Sequence, residues 1–211
     1  MAVIEIFPTY IQHQSLNITD EEIKELKQFV YDLRDKQKNY KHHFLTPNSF
    51  SSYDTNRELH KLPIFRKLST TFLKAATDLA NETIKRSNKK KEYKIKDHYA
   101  AITAMWANIY KKGGRVFEHI HHGSIFAGIF YLQQNEKTGQ TYFVDPLEYH
   151  KMIDVGIMNQ NENHYQIAPT KTKDLVIWPA YMKHGAIPND SDDEKVIISY
   201  NINFFSKVNT L

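Results

Sequence analysis

The chain has 211 residues, enough for one domain with a sizeable core and short for two. Hydrophobic residues make up 41% and charged residues 25%, a globular balance that excludes collagenous and low-complexity classes. A net charge of +4 admits an acidic partner, while the lack of any cysteine excludes disulfides, thiolate metal sites and cysteine nucleophiles.

In chain order, Met1-Ala2-Val3-Ile4-Glu5 lacks the basic and apolar pattern of a signal peptide. No run approaches the roughly 18 apolar residues of a membrane helix, and a cytoplasmic setting is expected. Thr19-Asp20-Glu21-Glu22 is a capping-box signature, and Ile23, Leu26, Phe29, Val30 and Leu33 follow at helical spacing. The stretch from Thr46 to Asn56, rich in Ser, Asn and Thr, reads as a loop. A second helix is predicted to open near Pro63, with Ile64, Leu68, Phe72, Ala76 and Leu79 on one stripe. The basic run Lys85-Arg86-Ser87-Asn88-Lys89-Lys90-Lys91 reads as an exposed connector. Without a zinc-finger, helix-turn-helix or RNA-binding aromatic motif beside it, nucleic acid is not the expected partner.

Beyond residue 98 the pattern turns to short β-prone segments. These are Tyr99–Tyr110, Val116–His122, Ile125–Leu132, Gln140–Val144, His164–Ile167, Leu175–Trp178 and Val196–Phe205. Turn signals such as Thr138-Gly139, Asp145-Pro146 and Pro188-Asn189-Asp190 separate them. Strands at this spacing without intervening helices predict an antiparallel jelly-roll, so the chain reads as mainly β with N-terminal helices. The expected layout is one domain, 1–211, with a helical support region at 1–98 and the β core at 99–205.

Of eleven histidines, His42, His43, His60, His98, His150 and His164 lie among polar residues and read as surface or capping groups. His119 and His121 differ, because residues two apart on a strand share a face, about 6–7 Å apart. Two imidazoles can then converge on one metal while Ile120 points away, and His122 reads as a neighbouring or surface group. A third ligand is available in His184, which follows the buried-strand pattern Leu175-Val176-Ile177-Trp178-Pro179. On the last strand Lys195, Ile197, Ser199, Asn201 and Asn203 share one face, and Val196, Ile198, Tyr200 and Ile202 the other. A polar row is costly to bury without partners. Either it faces water, or it lines a site for a polar, anionic molecule.

From Met105 to Phe205, about half its length, the chain resembles the 2-oxoglutarate/Fe(II) oxygenase superfamily, nearest to short oxygenases of bacteria and their phages. The resemblance rests on Trp106-Ala107-Asn108, Gly114, His119-Ile120-His121, Gly128-Ile129-Phe130-Tyr131-Leu132, Gly139, Phe143-Val144-Asp145-Pro146 and Trp178-Pro179. His184-Gly185-Ala186-Ile187-Pro188-Asn189 and Lys195-Val196-Ile197-Ile198-Ser199-Tyr200-Asn201 complete the ordered set. It implies a double-stranded β-helix, iron(II) as cofactor, 2-oxoglutarate as cosubstrate, and hydroxylation of an unidentified substrate, a peptide or protein by analogy. It further implies a cytoplasmic bacterial setting, phage-encoded chains included, and no membrane partner. His119 would be the first metal ligand and His184 the distal one, with His121 where the usual His-x-Asp pattern has a carboxylate. Asp145 is the nearest alternative carboxylate, with turn initiation as its other reading. Lys195 would bind the distal carboxylate of 2-oxoglutarate, with hydrogen bonds from Ser199, Asn201, and Tyr131 or Tyr142, and Asn108 facing the same pocket. The loops 46–56 and 148–163 are the expected pocket walls. The competing readings are a metal cupin, whose His-x-His is usually followed by a Glu that Gly123–Gly128 does not supply, a zinc hydrolase, or a non-enzymatic basic binding protein.

Overall fold

Thr19 fixes where the first helix begins. In the computed structural model, which describes residues 8–37, 45–87, 97–146 and 165–207, the Thr19 hydroxyl accepts from the Glu22 amide (3.1 Å). The Glu22 carboxylate in turn accepts from the Thr19 amide (3.0 Å), which is the reciprocal pair the sequence predicts. The helix α1 spans Asp20–Lys36, with acidic residues in its first turn, Arg34 and Lys36 in its last, and Ile23, Leu26 and Val30 buried.

The second helix starts later than its stripe suggests. Two 3₁₀ turns, Leu59–Lys61 and Pro63–Phe65, precede α2 at Arg66–Arg86. Pro63 holds Leu62 extended (φ −82, ψ 140) and offers no amide, so the entry tightens instead of continuing backwards as α-helix. Leu68, Phe72, Ala75, Ala76 and Leu79 are buried as one face.

Among the described residues, nine strands follow the order β1 Gln12–Ser15, β2 Ser49–Ser51, β3 His98–Tyr110, β4 Phe126–Gln133, β5 Thr141–Val144, β6 Tyr165–Ala168, β7 Asp174–Pro179, β8 His184–Ala186 and β9 Lys195–Ser206. All ladders are antiparallel, giving a six-stranded sheet β1-β7-β4-β9-β3-β2 and a three-stranded sheet β6-β5-β8. This is the jelly-roll core expected from the sequence.

Three segments differ from the expectation. The stretch 46–56 contains β2, whose Ser-Phe-Ser hides a strand because, of its two buried residues Phe50 and Ser51, only Phe50 is apolar. The helical support region also supplies β1, held to β7 where Asp174 accepts from Ser15 and from His13 (2.9 Å). Conversely, Val116–His122 is not a continuous strand. Val116 bridges Leu45 and His119 bridges His184, while Phe117 and Glu118 between them are exposed. The expected walls at 148–163, and His42, His43, His150 and His164, lie outside the described residues.

The period-2 alternation divides the core into two layers. Val196, Ile198, Tyr200 and Ile202 of β9, with Phe126, Phe130 and Leu132 of β4, pack against the helices. Ile197, Ala127, Ile129 and Tyr131 face the interior between the sheets, with Val176 and Trp178 of β7. Tyr200 stacks on Phe72 (centroids 4.2 Å apart, planes at 10°). Gly128 sits opposite Tyr200, and a Cβ there would lie 2.3 Å from its ring, so the side-chain-free position makes room for the tyrosine.

Candidate metal centre and cosubstrate pocket

Three imidazoles converge inside the jelly-roll. Backbone exchange between His119 and His184 (3.0 and 3.1 Å) aligns the 116–122 segment with β8, and the His121 amide donates to the Ala180 carbonyl (3.0 Å). The ring nitrogens of His119, His121 and His184 available as ligands lie within 4.8 Å of one another. Strand alternation therefore predicts the right outcome from an incomplete strand, because the extended backbone survives between the two bridges.

The hydrogen bonds fix the tautomers. His119 Nδ1 lies 2.7 Å from the Phe117 carbonyl and His184 Nδ1 lies 3.0 Å from the Met182 carbonyl. A carbonyl only accepts, so both Nδ1 atoms carry the proton. His121 Nδ1 likewise meets Asn201 Oδ1 at 2.6 Å. With every Nδ1 protonated, each Nε2 presents a lone pair, and the Nε2 atoms of His121 and His184 oppose each other at 3.2 Å. Facing lone pairs repel unless a cation lies between them. Protons are poor candidates for that cation. Burial first, then the charge of His119, pushes His121 down to about 4, against a smaller opposing effect of the Asn201 hydrogen bond. Burial also pushes His184 well below its ordinary value, followed by the charges of His119 and His121. Neutral imidazoles with their outer nitrogens engaged are a donor set that could hold a divalent metal.

The histidines open on a cavity of about 430 Å³. Asn108, Lys195, Ser199 and Asn201 line it, so the polar row of β9 faces the cavity as far as Asn201, while Asn203 instead donates to the Gly123 carbonyl and accepts from the Ile125 amide (both 2.9 Å). Asn108 Nδ2 donates to Ser199 Oγ (3.0 Å). Lys195 is 1% exposed, lies over the rings of Tyr110 and Tyr131 (5.9 and 5.5 Å), and donates to the Gly139 carbonyl (2.5 Å). Gly139 has φ +82, and a Cβ there would meet the Ile187 carbonyl at 2.1 Å, so only glycine delivers that acceptor. Burial without a counter-ion pushes Lys195 down to about 7. No acidic side chain among the described residues lines the cavity.

Other expectations fare differently. Tyr131 is fully buried behind the wall, and its hydroxyl pairs with Thr141 (2.8 Å), which does line the cavity. Tyr142 turns outward to Glu118 (3.2 Å). His122 is exposed at the mouth, and Asp145 stands outside the three-histidine group. Ser51 and Tyr53, from the stretch 46–56, do line the cavity. Sequence reasoning missed Thr141 and the acceptors Phe117 and Met182; Tyr53, within the expected wall, meets Trp106 edge-on at 4.9 Å. The bonds from Phe117 and Met182 are made by backbone, which leaves no mark in residue type.

Residues 104–201 match the family model described as "Putative 2OG-Fe(II) oxygenase". A comparison with curated proteins gave no match. Among solved structures, the fold is similar to the non-heme alpha-ketoglutarate-dependent carbocyclase SnoK of nogalamycin biosynthesis (TM-score 0.61, 9% identity, 92% of this chain and 79% of that one). It is also similar to HygX from Streptomyces hygroscopicus, solved with nickel, 2-oxoglutarate and hygromycin B (0.56, 9%, 92% and 83%). A third is the viral collagen prolyl hydroxylase of Paramecium Bursaria Chlorella virus-1, solved with 2-oxoglutarate (0.52, 14%, 92% and 95%). The match spans the three histidines and Lys195, and the fold is one shared with 2-oxoglutarate-dependent enzymes: residues 104–201 are similar to the 2-oxoglutarate/Fe(II) oxygenases, enzymes that use iron and 2-oxoglutarate.

Proposed function

We propose that the enzyme is a hydroxylase whose iron(II) is held by Nε2 of His119, His121 and His184, with Lys195 as the anchor for 2-oxoglutarate. The observation that carries this reading is the set of three converging Nε2 atoms, each backed by an Nδ1–H bonded to an oxygen acceptor. The iron, when bound, supplies activation of O₂ coupled to oxidative decarboxylation of 2-oxoglutarate. The residues do the rest. Lys195 has two donors left after Gly139 and meets the distal carboxylate as a point charge. Ser199 and Asn108 add hydrogen bonds, the Asn201 amide faces the cosubstrate, and Tyr131 acts through Thr141. The apolar walls Val116, Ile129, Trp178 and Ile197 exclude water from the reacting centre.

The substrate is proposed to be a peptidyl group, hydroxylated at a C–H bond as in the prolyl hydroxylases of the Chlorella virus and of Pseudomonas putida, which share the fold. A cytoplasmic setting is proposed with it, one that the cysteine-free sequence suits. The test is succinate formation from 2-oxoglutarate by anaerobically iron-loaded protein on exposure to O₂. Turnover that disappears in both His119→Ala and His184→Ala is expected. Absence of turnover, together with no protection of the fold by 2-oxoglutarate, overturns the reading.

A further inference from the structure

His119 and His184 share one device: the carbonyl two residues earlier, Phe117 or Met182, accepts from Nδ1. For His121 that carbonyl would be His119's own, which already accepts from the His184 amide (3.1 Å). The acceptor comes instead from a side chain on β9, Asn201, across 80 positions of sequence (2.6 Å). A carboxylate at position 121 would need no such acceptor, since it has no N–H to satisfy. Asn201 and His121 therefore form a matched pair. With His121 Nε2 turned to the other two histidines as a ligand, Nδ1 is left to donate, which sets the Asn201 oxygen towards it and sends Nδ2 the other way. No described residue accepts from Nδ2, and Asn201 lines the cavity.

Resting on the three-histidine reading above, we infer that Asn201 is the positioning residue of the centre, fixing His121 as third ligand through Oδ1 and offering Nδ2 to an oxygen of the bound cosubstrate. Trp106, stacked at 30° and 5.9 Å from the His121 ring, holds that ring in plane for the same contact. One side chain thus joins the unusual ligand to the cosubstrate.

Cobalt(II) titration of the full chain tests this, read by visible ligand-field absorbance and competition with a chelator, followed by titration of the cobalt-loaded protein with 2-oxoglutarate. Asn201→Leu removes the acceptor and is expected to weaken cobalt binding about 10–100-fold. Asn201→Asp keeps an acceptor for Nδ1–H but loses the Nδ2 donor. It is expected to bind cobalt at least as tightly as the wild type, with its spectrum unchanged, while 2-oxoglutarate binds at least about tenfold more weakly. The split between these two affinities is something a merely structural role would not produce. Cobalt affinity of Asn201→Leu within about twofold of wild type, or equal loss in both variants, overturns the positioning role. Wild-type 2-oxoglutarate affinity in Asn201→Asp overturns the donor role. His119→Ala run in parallel separates the two levels: cobalt binding that survives it sinks the three-histidine reading itself.

Discussion

With Lys195 as the proposed anchor, its buried ammonium would make cosubstrate binding depend on pH in a calculable way. Burial pushes its pKa from 10.5 to about 7, and the Gly139 carbonyl with two tyrosine rings offers no counter-charge. That drop corresponds to about 5 kcal/mol of disfavoured ammonium in the empty pocket. Bound 2-oxoglutarate supplies the missing anion and restores the proton. Above pH 7 the empty site must therefore take up a proton as it binds. The dissociation constant should rise about tenfold per pH unit, or roughly 50-fold from pH 7 to 9, with nearly one proton absorbed per site at pH 8. Folding of the empty protein has the opposite sign. The folded pKa is depressed, so the unfolded chain holds more protons between about 7 and 10.5, and apo stability should rise across that window. Calorimetric titration of anaerobic metal-loaded protein in two buffers of different ionisation heat measures both affinity and proton uptake. Lys195→Arg, which stays charged, should bind with a flat profile over this range. A flat profile in the wild type, or the same slope in Lys195→Arg, refutes the reasoning.

Three further outcomes follow from the packing. Gly139→Ala must displace the Ile187 carbonyl that a Cβ would meet at 2.1 Å, so 2-oxoglutarate affinity should fall at least about tenfold while cobalt(II) affinity is kept, measured by the same titrations. Phe72→Ala removes the ring stacked on Tyr200 and tilted against Phe130, and should cost roughly 3–5 kcal/mol in reversible urea unfolding. Thr19→Ala breaks the capping box of α1 and should cost about 1 kcal/mol in the same assay, without altering metal binding.

The sequence was most informative where chemistry and periodicity coincide. On β9 the alternation is two-sided, Val196-Ile198-Tyr200-Ile202 against Lys195-Ser199-Asn201, so the strand could be read in advance, whereas the pattern left the polar row open between water and a site, and the structure turns it to the cavity. Thr19 and Glu22 marked a helix start for the same reason, since the residue types are the hydrogen-bonding groups. His119, His121 and His184 were legible as a trio, yet the segment around the first two is held by separate bridges rather than a ladder. Edge strands were illegible because Gln12–Ser15 and Ser49–Ser51 carry a single apolar side chain between them, Phe50, so polar composition dominates. Roles made by backbone, at Phe117, Met182 and Gly139, leave the residue type almost free, and Tyr131 was read as a pocket residue when Thr141 stands between it and the cavity.

The measurement that bears most directly on the three-histidine centre is an iron-edge anomalous difference map from anaerobic crystals grown with iron(II) and 2-oxoglutarate. The account predicts one peak bonded to Nε2 of His119, His121 and His184, with the distal carboxylate of 2-oxoglutarate against Lys195 Nζ. A peak bonded to the Asp145 carboxylate in place of His121, or one away from the three histidines, would contradict it.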